Sequence, residues 1–483
     1  MSMENRDTIC AIATAQGGAI GLVRVSGQEA IDITDRIFSP LGRNAVPLAQ
    51  RNAYTIAFGH IKDNDDVVDD VLVSVFRAPH SYTGENSVEI SCHGSSFILQ
   101  KVMQLLIANG CRAAGPGEYT QRAFLNGKMD LSQAEAVADL IASSTAAQHN
   151  IAMKQMRGGI SQELALLREK LLRLTSLLEL ELDFSDHEEL EFANRTDLCE
   201  LAQQTAKTIS QLVGSFSTGQ AIKEGVPVAI IGATNAGKSS LLNQLVGEER
   251  AIVSDIHGTT RDVIEDTTTI EGLIFRFIDT AGLRKTIDKI EKLGIERSYK
   301  VMQKAEIVLY VIDATLPLLQ CQKQVDMVSE QCVGKKVVIV FNKMDIASSA
   351  MLRIKEVLSD SSDSKTRSVS ADDVLDLNGI PFVMVSSKTG EGFDELRKIL
   401  LQGAQLQGLT SSVVVSNIRH YEALSTALSA IKRVCDGLSS GLPSDLVSLD
   451  LRDCLFHLSE ITGGEITTQE VIENIFKHFC IGK

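Results

Sequence analysis

Residues 226–247 read VPVAIIGATNAGKSSLLNQLVG, and this stretch leaves the chain little freedom. An apolar run of strand length leads into Gly232-x4-Gly237-Lys238-Ser239, and a helix-forming segment follows. A strand that feeds a helix through a glycine-rich turn belongs in an alternating strand–helix architecture with a parallel sheet. The glycines let main-chain N–H groups curl around a β-phosphate. Lys238 brings positive charge to the β and γ oxygens, and the Ser239 hydroxyl is a Mg2+ ligand.

Four further segments follow in order. GTTRD (258–262) offers Thr260, whose hydroxyl closes on Mg2+ when a γ-phosphate is present. FIDTAGLR (277–284) puts Asp279 at a strand end, as a magnesium-orienting carboxylate requires, and Gly282 where its N–H senses the γ-phosphate. VIVFNKMD (338–345) places Asn342, Lys343 and Asp345 after another strand. A carboxylate there accepts two hydrogen bonds from guanine N1–H and N2–H2, whereas adenine would leave it buried and unpaired. MVSSKTG (384–390) adds Ser386, Ser387 and Lys388 to seat the base. Five signals in this order specify a GTP-hydrolysing domain. Its expected nucleotide contacts are Asn235, Ala236, Gly237, Lys238, Ser239, Ser240, Thr260, Asp279, Gly282, Asn342, Lys343, Asp345, Ser386, Ser387 and Lys388.

One position departs from Ras-like switches, which carry a water-positioning glutamine directly after DTAG. Here Leu283 stands there, and leucine cannot orient water. Asp288, Glu291 and Glu296 downstream are the candidates to replace it. Asn235, inside the phosphate loop, carries an amide oxygen suited to a monovalent cation beside the phosphates, which would act electrostatically as an arginine finger does.

Outside this region the chain changes character twice. Residues 1–118 mix short β-branched runs with turn signals and one helix-like segment, SSFILQKVMQLLIANG, which reads as an α+β domain. Residues 119–223 are helical. Leu164, Leu167, Leu171, Leu174 and Leu178 recur at three- and four-residue spacing and make one apolar stripe, fit for a bundle core or a dimer seam. The α/β pattern occupies 224–405, and 406–483 is helical again. Helices on both sides of the α/β part suggest one helical domain with the G domain inserted into it. The Ser/Asp-rich stretch 358–373 reads as a surface insertion.

The composition excludes several classes. No apolar run approaches the length of a membrane span, and the N-terminus lacks a signal core. Nine scattered cysteines without a CxxC pair fit reduced cytoplasmic thiols, and no transition-metal cluster is read. At a formal charge of −15, contact with RNA must be local or shared with a partner.

The G motifs, together with DTICAIAT…GGAIGLVRVSG, SYTGENSVEISCHG, PGEYTQRAFLNGKMDLSQAEAVADLI and the terminal FCIGK, resemble the MnmE (TrmE) family of tRNA wobble-uridine modification GTPases. The resemblance covers essentially the whole chain. It implies an N-terminal domain that binds 5,10-methylene- or 5-formyl-tetrahydrofolate and forms a homodimer, with Arg24, Glu85, Lys128 and Lys483 as folate contacts. A carboxylate such as Glu85 suits the amidine-like edge of a pterin, and cationic side chains suit the folate's glutamate tail. It further implies a K+ site built from Asn235, Ser254, Ile256 and Thr259, with Ser254 and Thr259 close to the GTP. Among the switch carboxylates it selects Glu291 as the water-orienting group, with Lys238 as its catalytic companion. It implies a flavoprotein partner of the MnmG type, in a heterotetramer or larger complex, and tRNA as substrate, modified at C5 of the wobble uridine.

The terminal HFCIGK invites comparison with a prenylation signal, but Lys483 is not a permitted last residue for one. The resemblance instead implies a tail folded toward the folate, with the Cys480 thiolate a nucleophile or base at the one-carbon unit. Two rival readings remain at this point. A ribosome-assembly GTPase would carry a second G domain or a KH-type module. A folate-sensing scaffold would not need Cys480 for modification.

Overall fold

The structure is a computed structural model. It describes residues 7–15, 17–42, 45–183, 195–247, 266–278, 303–332, 335–349, 351–352, 354, 377, 379–404, 413–464, 475–476, 479 and 482. The chain divides into two compact units, one formed by Met1–Ala142, Ala152–Ile209 and Ala423–Lys483, the other by Ser143–Ile151 and Ser210–Glu422.

The first unit begins with β1 (Ile9–Ile12), β2 (Ile20–Ser26), α1 (Ala30–Ile37), β3 (Phe38–Pro40), β4 (Thr55–Asp63), β5 (Asp66–Phe76), β6 (Ser87–His93), α2 (Ser96–Ala108), β7 (Arg112–Ala113) and α3 (Glu118–Leu125). These strands form one sheet in the order β3-β4-β5-β6-β2-β1-β7. Neighbours are antiparallel except β1 and β7, which are parallel. Alternation along β5 explains which face is covered. Val71, Val73 and Val75 are buried and share a core with Ile33 and Ile37 of α1 and Leu99, Val102 and Leu106 of α2. Each such side chain contributes about 1.5–3 kcal/mol on burial. Leu72 lies on the opposite face, paired in register with Phe58 of β4.

Helices follow: α4 (Leu131–Ala142), α5 (Ala146–Met156), α6 (Gly159–Asp183) and α7 (Arg195–Gly214), with α12 (Ile418–Ser440) and α13 (Ser444–Thr462) near the C-terminus. The leucine stripe of α6 is fully committed within the chain: Leu164, Leu167, Leu171, Leu174 and Leu178 are all buried. Helix α13, which buries Val447, Leu451, Cys454, Leu458 and Ile461 at the same spacing, packs along α6.

The second unit contains α8 (Phe216–Glu224), β8 (Val226–Gly232), α9 (Lys238–Gly247), β9 (Asp266–Ile270), β10 (Leu273–Phe277), β11 (Ile307–Asp313), α10 (Leu318–Gln331), β12 (Lys336–Asn342), β13 (Phe382–Met384) and α11 (Phe393–Gly403). Its strand order is β13-β12-β11-β8-β10-β9, and only β9 runs antiparallel to its neighbour. Both faces are covered. Leu241, Leu242 and Leu245 of α9 and Phe393, Leu396 and Leu400 of α11 join one core, while Cys321, Val325 and Val328 of α10 join the other. That is why β11 (IVLYVID) and β12 (KVVIVFN) are near-continuous apolar runs rather than alternating ones. The loops that leave β8, β11, β12 and β13 all depart from one end of this sheet, where α/β folds place their ligands.

Candidate functional site

The phosphate loop lies between β8 and α9. Two glycines have steric reasons to be there. A Cβ on Gly232 would sit 2.2 Å from the Val311 carbonyl oxygen on the adjacent strand, and Gly237 has φ +94° with Asn342 Nδ2 2.2 Å from its would-be Cβ. Asn235 is also left-handed, at φ 62°, a conformation asparagine tolerates better than most residues. Three positive-φ residues within six suit a tight loop of the kind whose N–H groups cradle anions. Lys238 Nζ donates to Gly232 O at 2.9 Å and Ala233 O at 2.7 Å, and burial pushes its ammonium below the ordinary lysine range. Ala236 is buried, Ser239 half-buried, and Asn235 and Ser240 are exposed. The Ser239 hydroxyl, at the positive end of α9, is a hard oxygen donor of the kind Mg2+ selects.

The base side is wired to this loop by one side chain. Asn342 ends β12 at 1% exposure. Its Nδ2 donates to Ala236 O at 3.1 Å, and its Oδ1 accepts from Ser387 N at 3.1 Å, Ser387 Oγ at 2.9 Å and Lys343 N at 2.8 Å. The phosphate loop and the 386–390 loop are therefore held by opposite ends of one amide. Asp345 Oδ1 accepts from the buried Ser386 Oγ at 2.8 Å, and the same hydroxyl accepts from Thr389 N at 3.2 Å. The Asp345 carboxylate is exposed and so is Lys388. Lys343, left-handed at φ 67°, donates through Nζ to Asp313 Oδ2 at 2.6 Å. Asn235 to Ser240, Asn342, Lys343, Asp345 and Ser386 to Lys388 thus gather at one end of the sheet.

A second set gathers in the first unit. Arg24 on β2 donates to Glu89 Oε1 through Nε at 2.9 Å and Nη2 at 2.7 Å, because the strand register sets Arg24 opposite Glu89. Its guanidinium lies 5.8 Å from the Tyr82 ring centroid and 5.7 Å from that of Tyr119. Nη1 donates to Gly482 O at 3.2 Å, which places Gly482 beside Arg24. Glu85 Oε2 accepts from Ser26 Oγ at 2.9 Å, and both carboxylate oxygens face Arg122 Nη1 at 3.3 and 3.4 Å. Lys128 Nζ donates to Pro79 O at 2.9 Å, and its stem passes Gly84. Arg24 therefore lies against the exposed Tyr82 ring, Glu85 belongs to the same 79–85 stretch, and Lys128 reaches its start at Pro79. That donor set fits a flat heteroaromatic ligand with carboxylates at its far end.

Ser254, Ile256, Thr259, Thr260, Asp279, Gly282, Asp288, Glu291, Glu296, Cys480 and Lys483 lie outside the described residues, as does the 358–373 stretch.

Sequence reasoning passed over the charged cluster behind Glu85. Arg122 on α3, its side chain 5% exposed, donates to Glu118 Oε1 at 2.9 Å, Asp7 Oδ1 at 3.0 Å and Asp7 O at 2.9 Å besides Glu85. Burial works to raise the Glu118 carboxyl, but bonds from Arg112, the Gly115 N–H and Arg122 outweigh it and hold it below the usual range. The bond from Arg112 likewise holds Asp7 down. The four-residue spacing of Glu118 and Arg122 was the available signal; nothing local announces Asp7 or Glu85 as partners.

The sequence matches the family described as the GTP-binding protein TrmE N-terminus over residues 8–128 and the MnmE helical domain over residues 131–480. A protein of Bacteroides thetaiotaomicron named tRNA modification GTPase MnmE is 56% identical over 99% of this chain and 100% of its own. The protein of that name from Flavobacterium johnsoniae is 45% identical over all of both chains. Among solved structures, the G domain of the T. maritima FeoB iron transporter aligns at 26% identity over 37% of this chain and 99% of its own, with a TM-score of 0.24. With relatives this similar over their full lengths and the helical-domain match alone spanning most of the chain, the protein belongs to the MnmE (TrmE) family of tRNA modification GTPases.

Proposed function

We propose that this protein binds GTP with Mg2+, hydrolyses it and couples that cycle to the modification of C5 of the wobble uridine in tRNA. The observation that carries the nucleotide part is the Asn342 side chain, which joins the phosphate loop at Ala236 to the base loop at Ser387. Such a tie fixes the distance between a phosphate cradle and a purine site, so one nucleotide can span both. Asn235 through Ser240 hold the phosphates, Lys238 neutralises charge building on the β and γ oxygens, and Asp345 selects guanine. Ser239 and Thr260 hold Mg2+. Asn235, with the carbonyls of Ser254 and Ile256 and with Thr259, holds K+, and Glu291 orients the attacking water.

In the first unit, tetrahydrofolate is the ligand proposed for Arg24, Glu85, Lys128 and Lys483. The approach of Arg24 and Lys128 to the 79–85 stretch that holds Glu85 supports it, and the Gly482–Arg24 bond supports a tail that carries Cys480 to the same place. The folate supplies a one-carbon unit when bound; the chain's part is to orient it and offer the Cys480 thiolate. A homodimer is proposed through the outer face of the N-terminal sheet, where Ile56, Phe58 and Leu72 stand exposed. FAD chemistry belongs to an MnmG-type partner. No described helix is long and apolar enough to cross a membrane.

Nucleoside mass spectrometry of tRNA from cells lacking the protein tests this reading. A C5-substituted wobble uridine is expected to disappear and to return with the wild-type chain but not with Asp279→Ala. An unchanged nucleoside profile refutes the tRNA reading. Equal GTPase rates in KCl and NaCl refute the K+ site.

A further inference from the structure

We infer that Asp313 is a positioning residue for nucleotide binding: its carboxylate tethers Lys343 and thereby sets how slowly a guanine nucleotide leaves. The inference rests on the proposed reading of Asn342, Lys343 and Asp345 as the base site.

Asp313 is the last residue of β11 and the register partner of Asn342, the last residue of β12. The parallel pairing continues one step further, with Ala314 N donating to Asn342 O at 2.9 Å. Both oxygens of the Asp313 carboxylate are committed. Oδ1 accepts from Thr315 N at 2.9 Å and Thr315 Oγ1 at 2.7 Å, while Oδ2 accepts from Lys343 Nζ at 2.6 Å. The turn at Thr315 therefore aims the second oxygen at the lysine. The pair is largely shielded, at 16% exposure for Asp313 and 31% for Lys343. Burial alone would raise the Asp313 carboxyl, but the bonds from Lys343 and Thr315 hold it below its ordinary value, so it is an anion at neutral pH.

Each residue of the base site thus has its own anchor. Ser387 and Ala236 hold Asn342, Ser386 holds Asp345, and Asp313 holds Lys343. Lysine is the one that most needs it, since its four-carbon stem loses the most rotamer freedom when ordered. With Nζ pinned, the methylene stem keeps one direction and can pack on a purine face without that ordering cost at binding. Asp313 itself need not touch the nucleotide. It acts through Lys343.

Stopped-flow release of mant-GDP from the full chain, chased with unlabelled GDP, tests this. Asp313→Asn is expected to speed release about tenfold, as loss of a partly shielded charged hydrogen bond should. Thr315→Val, which removes a bond to the same carboxylate but leaves the tether, is expected to change release less than about twofold. Lys343→Met should speed release as well, and the double variant should be no faster than Lys343→Met alone, the signature of one shared pathway. Unchanged release in Asp313→Asn, or two effects that multiply in the double variant, would overturn the tether. Lys343→Met with wild-type release would likewise overturn the tether, whereas Asp345→Ala with wild-type guanine-nucleotide affinity would remove the base-site reading itself, and this inference with it. Because Lys343→Met leaves the Asp313–Thr315 turn in place, it tests the tether even if Asp313→Asn folds poorly.

Discussion

Replacing Arg122 with methionine tests the charged cluster of the N-terminal unit most directly. The substitution keeps much of the volume of a side chain that is 5% exposed and removes the cation facing three carboxylates, Glu85, Glu118 and Asp7. Deleting one partner of a buried pair costs about 3–5 kcal/mol, because the remaining charge stays desolvated. Here the lower end applies. Glu118 keeps Arg112 and the Gly115 N–H, Glu85 keeps Ser26, and Asp7 is half-exposed. At about 2–4 °C per kcal/mol for a unit of this size, a loss of about 3 kcal/mol lowers the transition by about 6–12 °C. Differential scanning calorimetry of the full chain reads this out. The pH dependence follows from the sign of the Glu118 shift. Its folded-state pKa is depressed, so the stability it brings is present above the unfolded carboxylate value, about 4.3, and is lost as pH falls through the folded value. The gap between wild type and variant should therefore be widest near neutrality and narrow as the pH falls below the unfolded carboxylate value. A shift under about 2 °C at neutral pH, or a gap that does not narrow in acid, would refute the reasoning.

Two further outcomes are expected. Gly237→Ala forces a Cβ to within 2.2 Å of Asn342 Nδ2 at a φ of +94°; backbone strain of about 1–2 kcal/mol and a displaced Asn342 amide should weaken GDP binding by at least about tenfold, measured by isothermal titration, with the fold retained. Wild-type affinity would show that the cradle is not the phosphate site. Phe58→Glu places a charge on the outer face of the N-terminal sheet opposite Leu72 and should shift a homodimer toward monomer in sedimentation velocity. An unchanged mass would move the dimer contact elsewhere.

The candidate nucleotide site was legible in the sequence because its motifs are local. Gly232 to Ser239 is a contiguous stretch whose proposed phosphate contacts are mostly main-chain N–H groups, so spacing alone specifies the shape. Asn342 to Asp345 and Ser386 to Lys388 are equally short. The apolar runs of β11 and β12 likewise announced a sheet covered on both faces, and the leucine stripe of α6 announced a buried helix. What covers that stripe was not written locally: that it is α13, from the far end of the chain, is a matter of packing.

The partners of the functional side chains belong to the tertiary structure for the same reason. Arg24 meets Glu89 only because β2 and β6 pair in one register, and a slip of a single residue would send the two to opposite faces. Asp313 meets Lys343 only because β11 and β12 end level with each other. Arg122 collects Asp7 and Glu85 across more than a hundred residues in one case and 37 in the other. Residue types and spacing alone pointed to a GTPase and to the groups proposed to hold its nucleotide. Strand order and register decided which of those groups are held still, because a hydrogen bond between distant residues exists only after the sheet that aligns them has formed.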